Sequence, residues 1–223
     1  MLIHKKLVPP GLATNPNKPM REVRFVTIHN TGSYGATATA RNHANYQYAG
    51  AGGRQASWHY TVDDAEIWQS FLDSQMCWHA GDGNGPGNAA SVGVEICVNR
   101  RAEFPKACYN AAWLTAKLLR AHGLDVGDVR QHFDWSGKNC PAELRSGAWG
   151  VDWDGFLRMV RGHWEGSAEE PPVPGVKHFY RVQIGAFQNR AGAETLLREA
   201  RDAGFEGFVV HDRFVVVEAP GYL

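Results

Sequence analysis

Apolar and polar positions divide the first 165 residues into short strand-like runs and longer helical ones. Residues 23–29, VRFVTIH, form a β-rich run that ends at His29 and the turn Asn30-Thr31-Gly32. Residues 37–48 are rich in alanine and predict a helix. Residues 57–62 read as a strand, with a further one over 66–69. From 92 to 98 the pattern alternates strictly: Val92, Val94, Ile96 and Val98 share one face, and Glu95 and Cys97 point to the other. Over 106–122, Trp113, Ala116, Leu119 and Arg120 fall at helical spacing, and Gly123 is placed to stop the helix. Trp153, Phe156, Leu157 and Val160 make an apolar stripe over 152–163, while 130–150 between the two helices reads as irregular. Strands mixed with helices that flank one sheet give an α/β fold class.

The pattern changes at GSAEEPPVPG, residues 166–175, where two acids and three prolines predict a stiff, solvated linker. It separates residues 1–165 from a tail over 176–223. Within the tail, 179–187 alternates as a strand, and Asn189 is placed to cap a helix running through Ala203 with Ala193, Leu196, Leu197 and Ala200 on its apolar face. Gly204 fits the helix end, and 207–210 and 213–218 read as two short strands.

Lys and Arg total 23, as do Asp and Glu, so the formal net charge is zero. A nucleic-acid partner is not expected, because neutralising phosphates takes a basic excess. Nor is a membrane: no run approaches the roughly 18 apolar residues of a spanning helix. The first residues, MLIHKKLVPPGLATNP, lack an apolar core of the secretory kind, which predicts synthesis in the cytoplasm without a signal peptide. Eight Trp and 25 Gly suit aromatic, loop-rich surfaces of the type that contact sugars or peptides. The four cysteines, Cys77, Cys97, Cys108 and Cys140, then read as free thiols or a metal ligand, with the first three as small core residues.

His29 ends the first strand, and His132 and Cys140 share the segment RQHFDWSGKNCPAEL. Two His and one Cys are an accepted ligand set for catalytic zinc, which leaves a fourth position open. Spacing alone leaves the alternative of a strand-end histidine and an ordinary buried thiol before Pro141. Glu95, opposite four apolar neighbours on its strand, either faces a groove as an acid–base group or is a solvated surface carboxylate.

Four blocks occur in order: FVTIHNTG, ASWHYTVDDAEIWQ, WHAGDGNGPGNAASVGVEICVN and HFDWSGKNCP. Together, over about residues 20–162, they resemble the zinc-dependent N-acetylmuramoyl-L-alanine amidases of the type-2 family, which includes phage endolysins, bacterial autolysins and peptidoglycan recognition proteins. The resemblance implies a central mixed sheet flanked by helices, with Zn2+ in a groove at one edge. It implies His29, His132 and Cys140 as zinc ligands, Glu95 as the catalytic glutamate and Lys138 as a cation beside the oxyanion. His79 and Trp58 are implied at substrate-binding positions. Some branches carry a catalytic tyrosine where this chain has Trp58, which cannot exchange a proton, so that role falls on Glu95 or is absent. His59, between Trp58 and Tyr60, is expected to pack or hydrogen-bond.

The implied reaction is hydrolysis of the amide between N-acetylmuramic acid and the L-alanine of the stem peptide, leading to wall lysis. Two alternatives remain. A binding receptor without catalysis would lack a ligand, commonly the cysteine, which is present here. A zinc peptidase would cut within the stem peptide. The tail, YRVQIGAF followed by an alanine-rich helix and AGF, resembles one SPOR peptidoglycan-binding repeat, an α+β half-module. Pairing of two chains in a homodimer would complete its sheet. The implied partner is peptidoglycan, glycan strand and stem peptide together, and the implied place of action is the bacterial cell wall.

Overall fold

The computed structural model describes residues 1–166, 187 and 189–204. The chain divides into two compact units, Met1–Val176 and Lys177–Leu223.

The first unit is built on one six-stranded sheet. Its strands are β1 (Ile3–Lys5), β2 (Phe25–Asn30), β3 (Tyr60–Val62), β4 (Ile67–Gln69), β5 (Ser91–Ile96) and β6 (Val129–Gln131), in spatial order β1-β4-β3-β5-β2-β6. Only β3 and β4 pair antiparallel; every other neighbour is parallel. The sheet is therefore mixed, as expected. The central strands β2 and β5 are covered on both faces, so Thr27 and Ser91 are as buried as Val26 and Val92.

Parallel neighbours require crossovers, and helices supply them. Helix α1 (Ala40–Tyr48) lies between β2 and β3, and α3 (Phe104–His122) between β5 and β6. Pro105 sits in the first turn of α3, where its missing N–H costs nothing, and Gly123 ends the helix with φ of 66°. Its buried face, including Phe104, Ala107, Ala111, Leu114 and Leu119, joins the apolar core formed with β2 and β5. Helix α6 (Trp153–Glu165) adds Phe156 and Val160 to that core and is capped by Asp152, whose side chain accepts from Gly155 N at 2.7 Å. Arg120 of α3 donates to the carbonyls of His163 and Trp164, both at 2.6 Å, and so closes the end of α6.

Boundaries differ from the sequence pattern where side chains intervene. Helix α1 starts at Ala40 because the Thr39 hydroxyl accepts from Asn42 N and caps it there. The strand expected over 57–62 is paired as β3 only from Tyr60, since the Gln47 side chain takes both the amide and the carbonyl of Trp58. The segment read as irregular contains β6 and the short helices α4 (Phe133–Ser136) and α5 (Ala142–Ser146). Strand β1 and the short helix α2 (Pro86–Ala89) also went unpredicted. Cys77, Cys97 and Cys108 are buried and free.

In the second unit, α7 (Arg190–Asp202) is capped by Asn189, which accepts from Gly192 N at 2.9 Å. Its Ala193, Leu196, Leu197 and Ala200 are half-buried while Glu194, Arg198 and Glu199 are exposed, which is the predicted stripe. The strands expected over 179–187 and 207–218, apart from Phe187, lie outside the described residues, as does the linker beyond Gly166. Among the described residues no helix is long and apolar enough to cross a membrane.

Candidate metal centre

Three parallel strands end at one place. His29 is the penultimate residue of β2, Glu95 the penultimate residue of β5, and His132 directly follows β6. Ligand sites of open α/β sheets lie at these carboxyl ends. Across the β2–β5 ladder His29 and Glu95 are register partners.

The segment after β6 folds back to deliver the third group. Phe133 N donates to the Cys140 carbonyl at 3.0 Å, and the Arg145 guanidinium ties Asn139 to Gln131, each at 2.9 Å. Glu143 N then bonds Asn30 Oδ1 at the end of β2 at 3.2 Å. Cys140 is thereby buried with Sγ 3.8 Å from His29 Nδ1. One ligand atom from each of His29, His132 and Cys140 lies within 4.8 Å of the others.

The protons on the two rings follow from their partners. The Ala80 carbonyl, which can only accept, slightly favours the protonated form of His132. His29 Nε2 faces His79 Nδ1 at 3.0 Å, and His79 Nε2 faces the Ser91 carbonyl at 3.2 Å. A neutral imidazole has a single N–H, so His79 donates to Ser91 and accepts from His29. His29 thus donates through Nε2, the nitrogen turned away from the centre, and keeps a lone pair on Nδ1. His29 Nδ1 and His132 Nδ1 stand 3.0 Å apart. Burial, foremost, lowers the pKa of His29 well below its ordinary value, that of His132 to about 4 and that of His79 to about 3. Both imidazoles are therefore neutral at pH 7 and able to offer a lone pair to a cation.

Glu95 Oε2 is buried with no hydrogen-bond partner. Desolvation pushes its carboxyl up to about 8, and the nearby Lys138 ammonium partly opposes the rise. Burial likewise raises the Cys140 thiol to about 12. Lys138 is itself exposed, and its charge reaches His29, His132, Glu95 and Cys140.

His79 is buried behind His29 with both ring nitrogens engaged, rather than lining an open groove. The Trp58 indole N–H donates to Thr61 Oγ1 at 2.7 Å, and Thr61 is the register partner of Glu95. His59 is held at both nitrogens, accepting from Gly93 N at 2.9 Å and donating to the Gln75 carbonyl at 2.8 Å. The sequence pattern missed Asn88, whose Oδ1 accepts from both His79 N and Ala80 N at 2.8 Å. It also missed the Ala80 and Ser91 carbonyls, which as backbone groups leave no trace in residue type.

A mixed sheet that gathers two imidazoles and a thiol at its strand ends defines an α/β domain organised around a candidate metal centre. Residues 19–143, over half the chain, match the family described as N-acetylmuramoyl-L-alanine amidase, and the chain belongs to that family. Residues 168–220 match the SPOR domain. The N-acetylmuramoyl-L-alanine amidase XlyA of Bacillus subtilis (strain 168) is 39% identical over 160 residues, 72% of this chain and 51% of its own length. CwlH, an N-acetylmuramoyl-L-alanine amidase of the same organism, is 36% identical over 171 residues, 76% of this chain and 63% of its own. The chain thus spans about half to under two thirds of the length of these relatives. The solved catalytic domain of XlyA superposes with a TM-score of 0.66 at 39% identity, covering 72% of this chain and 99% of that one. The structure of PlyL gives 0.63 at 34% identity, covering 72% and 97%. The fold of the first unit is that of an amidase catalytic domain.

Proposed function

We propose that the chain hydrolyses peptidoglycan at the amide between N-acetylmuramic acid and the L-alanine of the stem peptide, with zinc held by His29, His132 and Cys140. Family membership supports the reaction, since the relatives carry that activity in their names. The metal rests on one observation: two imidazole nitrogens 3.0 Å apart, with a thiol sulfur 3.8 Å from one of them. The edge of a tetrahedral zinc site with nitrogen ligands is roughly 3.3 Å, and a nitrogen–sulfur edge is slightly longer. When bound, zinc supplies a Lewis acid that polarises the amide carbonyl and acidifies water.

The chain's own groups do the rest. Neutral His29 and His132 and the Cys140 thiolate leave a net charge of +1, which attracts a carbonyl oxygen. Glu95, one strand over, has an oxygen with no partner inside the protein, so it is free to take a proton from the attacking water. It then returns that proton to the leaving amine of L-alanine. The Lys138 ammonium, close enough to perturb all four groups, stabilises the oxyanion of the tetrahedral intermediate. Trp58, donating to the register partner of Glu95, would bound the substrate side of the site.

The tail would hold the enzyme on the wall through glycan contacts and raise its local concentration there. Two chains would pair through their tails as a homodimer, and sedimentation of the full chain as a monomer at all concentrations would remove that pairing.

Digestion of purified sacculi with and without a chelator tests the whole reading. Fragments bearing a free lactyl end and a new N-terminal alanine, lost on chelation and restored by zinc, are the expected result. Cleavage within the stem peptide, or activity indifferent to chelation, would overturn it.

A further inference from the structure

Alternation along β5 puts Ser91, Gly93 and Glu95 on one face and Val92, Val94 and Ile96 on the other. Two positions of the first face and one backbone carbonyl of the strand serve the site. Glu95 contributes its carboxylate, Ser91 its carbonyl to His79, and Gly93 the space in which the His79 ring lies. We infer that His79 is a positioning residue, anchored by the Ser91 carbonyl, that holds His29 in the tautomer whose Nδ1 lone pair faces Cys140 and His132. The inference rests on the metal reading above and extends it to a residue that touches neither the metal nor the substrate.

Free imidazole exchanges readily between its two neutral tautomers, and only the one protonated at Nε2 offers a lone pair at Nδ1. A partner that could both donate and accept, such as a hydroxyl or water, would leave His29 that choice. His79 leaves none, because its own proton is committed to a carbonyl that cannot return one. Burial keeps the chain of bonds intact: His29 is 1% exposed and His79 8%, so water does not compete for either nitrogen. The base of the ring is fixed as well, since Asn88 Oδ1 accepts from His79 N.

The partner's charge matters too. A carboxylate behind His29 would fix the same tautomer. It would also add a negative charge beside two neutral imidazoles and a thiolate, cancelling the net +1 that draws the substrate carbonyl. A neutral histidine orients the ligand and leaves that charge in place. The clearance is narrow: a Cβ at position 93 would come within 2.9 Å of His79 Cγ.

The test compares zinc affinity, by competition with a chromophoric chelator, in the full chain and three variants. His79→Phe keeps the ring's bulk and removes its acceptor, and zinc should bind roughly 10–100-fold more weakly. His79→Asn places an amide oxygen where Nδ1 stood and should restore affinity to within a few-fold of wild type. Gly93→Ala keeps both histidines but displaces the ring, and should weaken binding as His79→Phe does. Long-range 1H–15N spectra of the metal-free chain read the tautomer directly. His29 should carry its proton at Nε2 in wild type and His79→Asn, and exchange between tautomers in His79→Phe. Unchanged affinity and an unchanged His29 tautomer in a folded His79→Phe would overturn the inference and leave the metal reading standing. So would equal loss in the Phe and Asn variants, which would mean that packing alone is at work. A wild-type chain that takes up no zinc would instead overturn the metal reading, and the His29 tautomer in the metal-free spectra would still decide for or against His79.

Discussion

Glu95 is the residue at which stability and chemistry conflict most directly. Its carboxyl ordinarily titrates near 4.5 and is pushed to about 8 in the fold, so between these values the folded state binds the proton more tightly. Stability of the metal-free protein therefore falls as pH rises from 4.5 toward 8, and the full cost is present above that. Glu95→Gln removes the titration while keeping the shape. It should raise the Tm of the metal-free chain most at alkaline pH and leave it unchanged at acid pH below 4.5, as measured by thermal unfolding across a pH series. The same variant should retain zinc and lose roughly 10²–10⁴-fold in turnover, the range ascribed to a positioned acid–base group. Full activity in Glu95→Gln would remove Glu95 from the proton transfer.

The cysteine makes a separate prediction. His29 and His132 are already neutral at pH 7, because burial lowers both. The Cys140 thiol is still protonated, because burial raises it to about 12. A metal binds the thiolate, so uptake must expel that proton. Titration calorimetry of Glu95→Gln in buffers of different ionisation enthalpy should count one proton released per zinc. Cys140→Ala should bind no zinc and release none. The chemical blocks displayed His29, Glu95, Lys138, His132 and Cys140 in the sequence because each carries its chemistry in its residue type. The pairing of His29 with His79, 50 residues away, is a tertiary contact between a strand and a loop, and no periodicity encodes it.

Among the helices, legibility follows length. Helices α3 and α6, 19 and 13 residues long, give several turns of apolar stripe and were readable from it. Strand β6 has three residues, and α4 and α5 have four and five, too few for any period to repeat. These short pieces deliver His132 and Cys140, so the part of the fold least visible in the sequence is the part that assembles the site. Helix α2 has the same character, with four residues and one consequential side chain, Asn88. Asn88 is buried and pins two consecutive amides, His79 N and Ala80 N, while its own Nδ2 donates to the Gly83 carbonyl at 2.9 Å. The first amide carries the partner of His29, and the second belongs to Ala80, whose carbonyl influences the protonation of His132. Asn88→Ala would leave two buried donors unpaired, at about 1–3 kcal/mol each. It should lower Tm and also weaken zinc binding, because the loop that carries His79 behind His29 loosens. A fall in Tm with unchanged zinc affinity would show that α2 supports the fold alone.

At the level of the whole molecule, the proposed hydrolysis and the proposed wall retention fall to different units. Every group at the candidate centre belongs to Met1–Val176, and α7 belongs to Lys177–Leu223. The solved catalytic domain of XlyA, 99% covered by 72% of this chain, corresponds to the first unit, so residues 1–166 are expected to fold by themselves. On a soluble muramyl-peptide fragment the wall gives no second attachment, and a chain cut after Gly166 should match the full chain in kcat and KM. On intact sacculi the SPOR-matching residues add a second contact, and tethering multiplies apparent affinity by roughly 10²–10⁴ when both modules can engage together. The cut chain should therefore require correspondingly more enzyme for the same rate of clearing and appear in the supernatant when sacculi are pelleted. If the tails also pair, the advantage of the full chain should grow with its concentration across the range where sedimentation detects a dimer. Equal retention of the two chains on sacculi would assign wall binding to the amidase unit and leave the tail without that role.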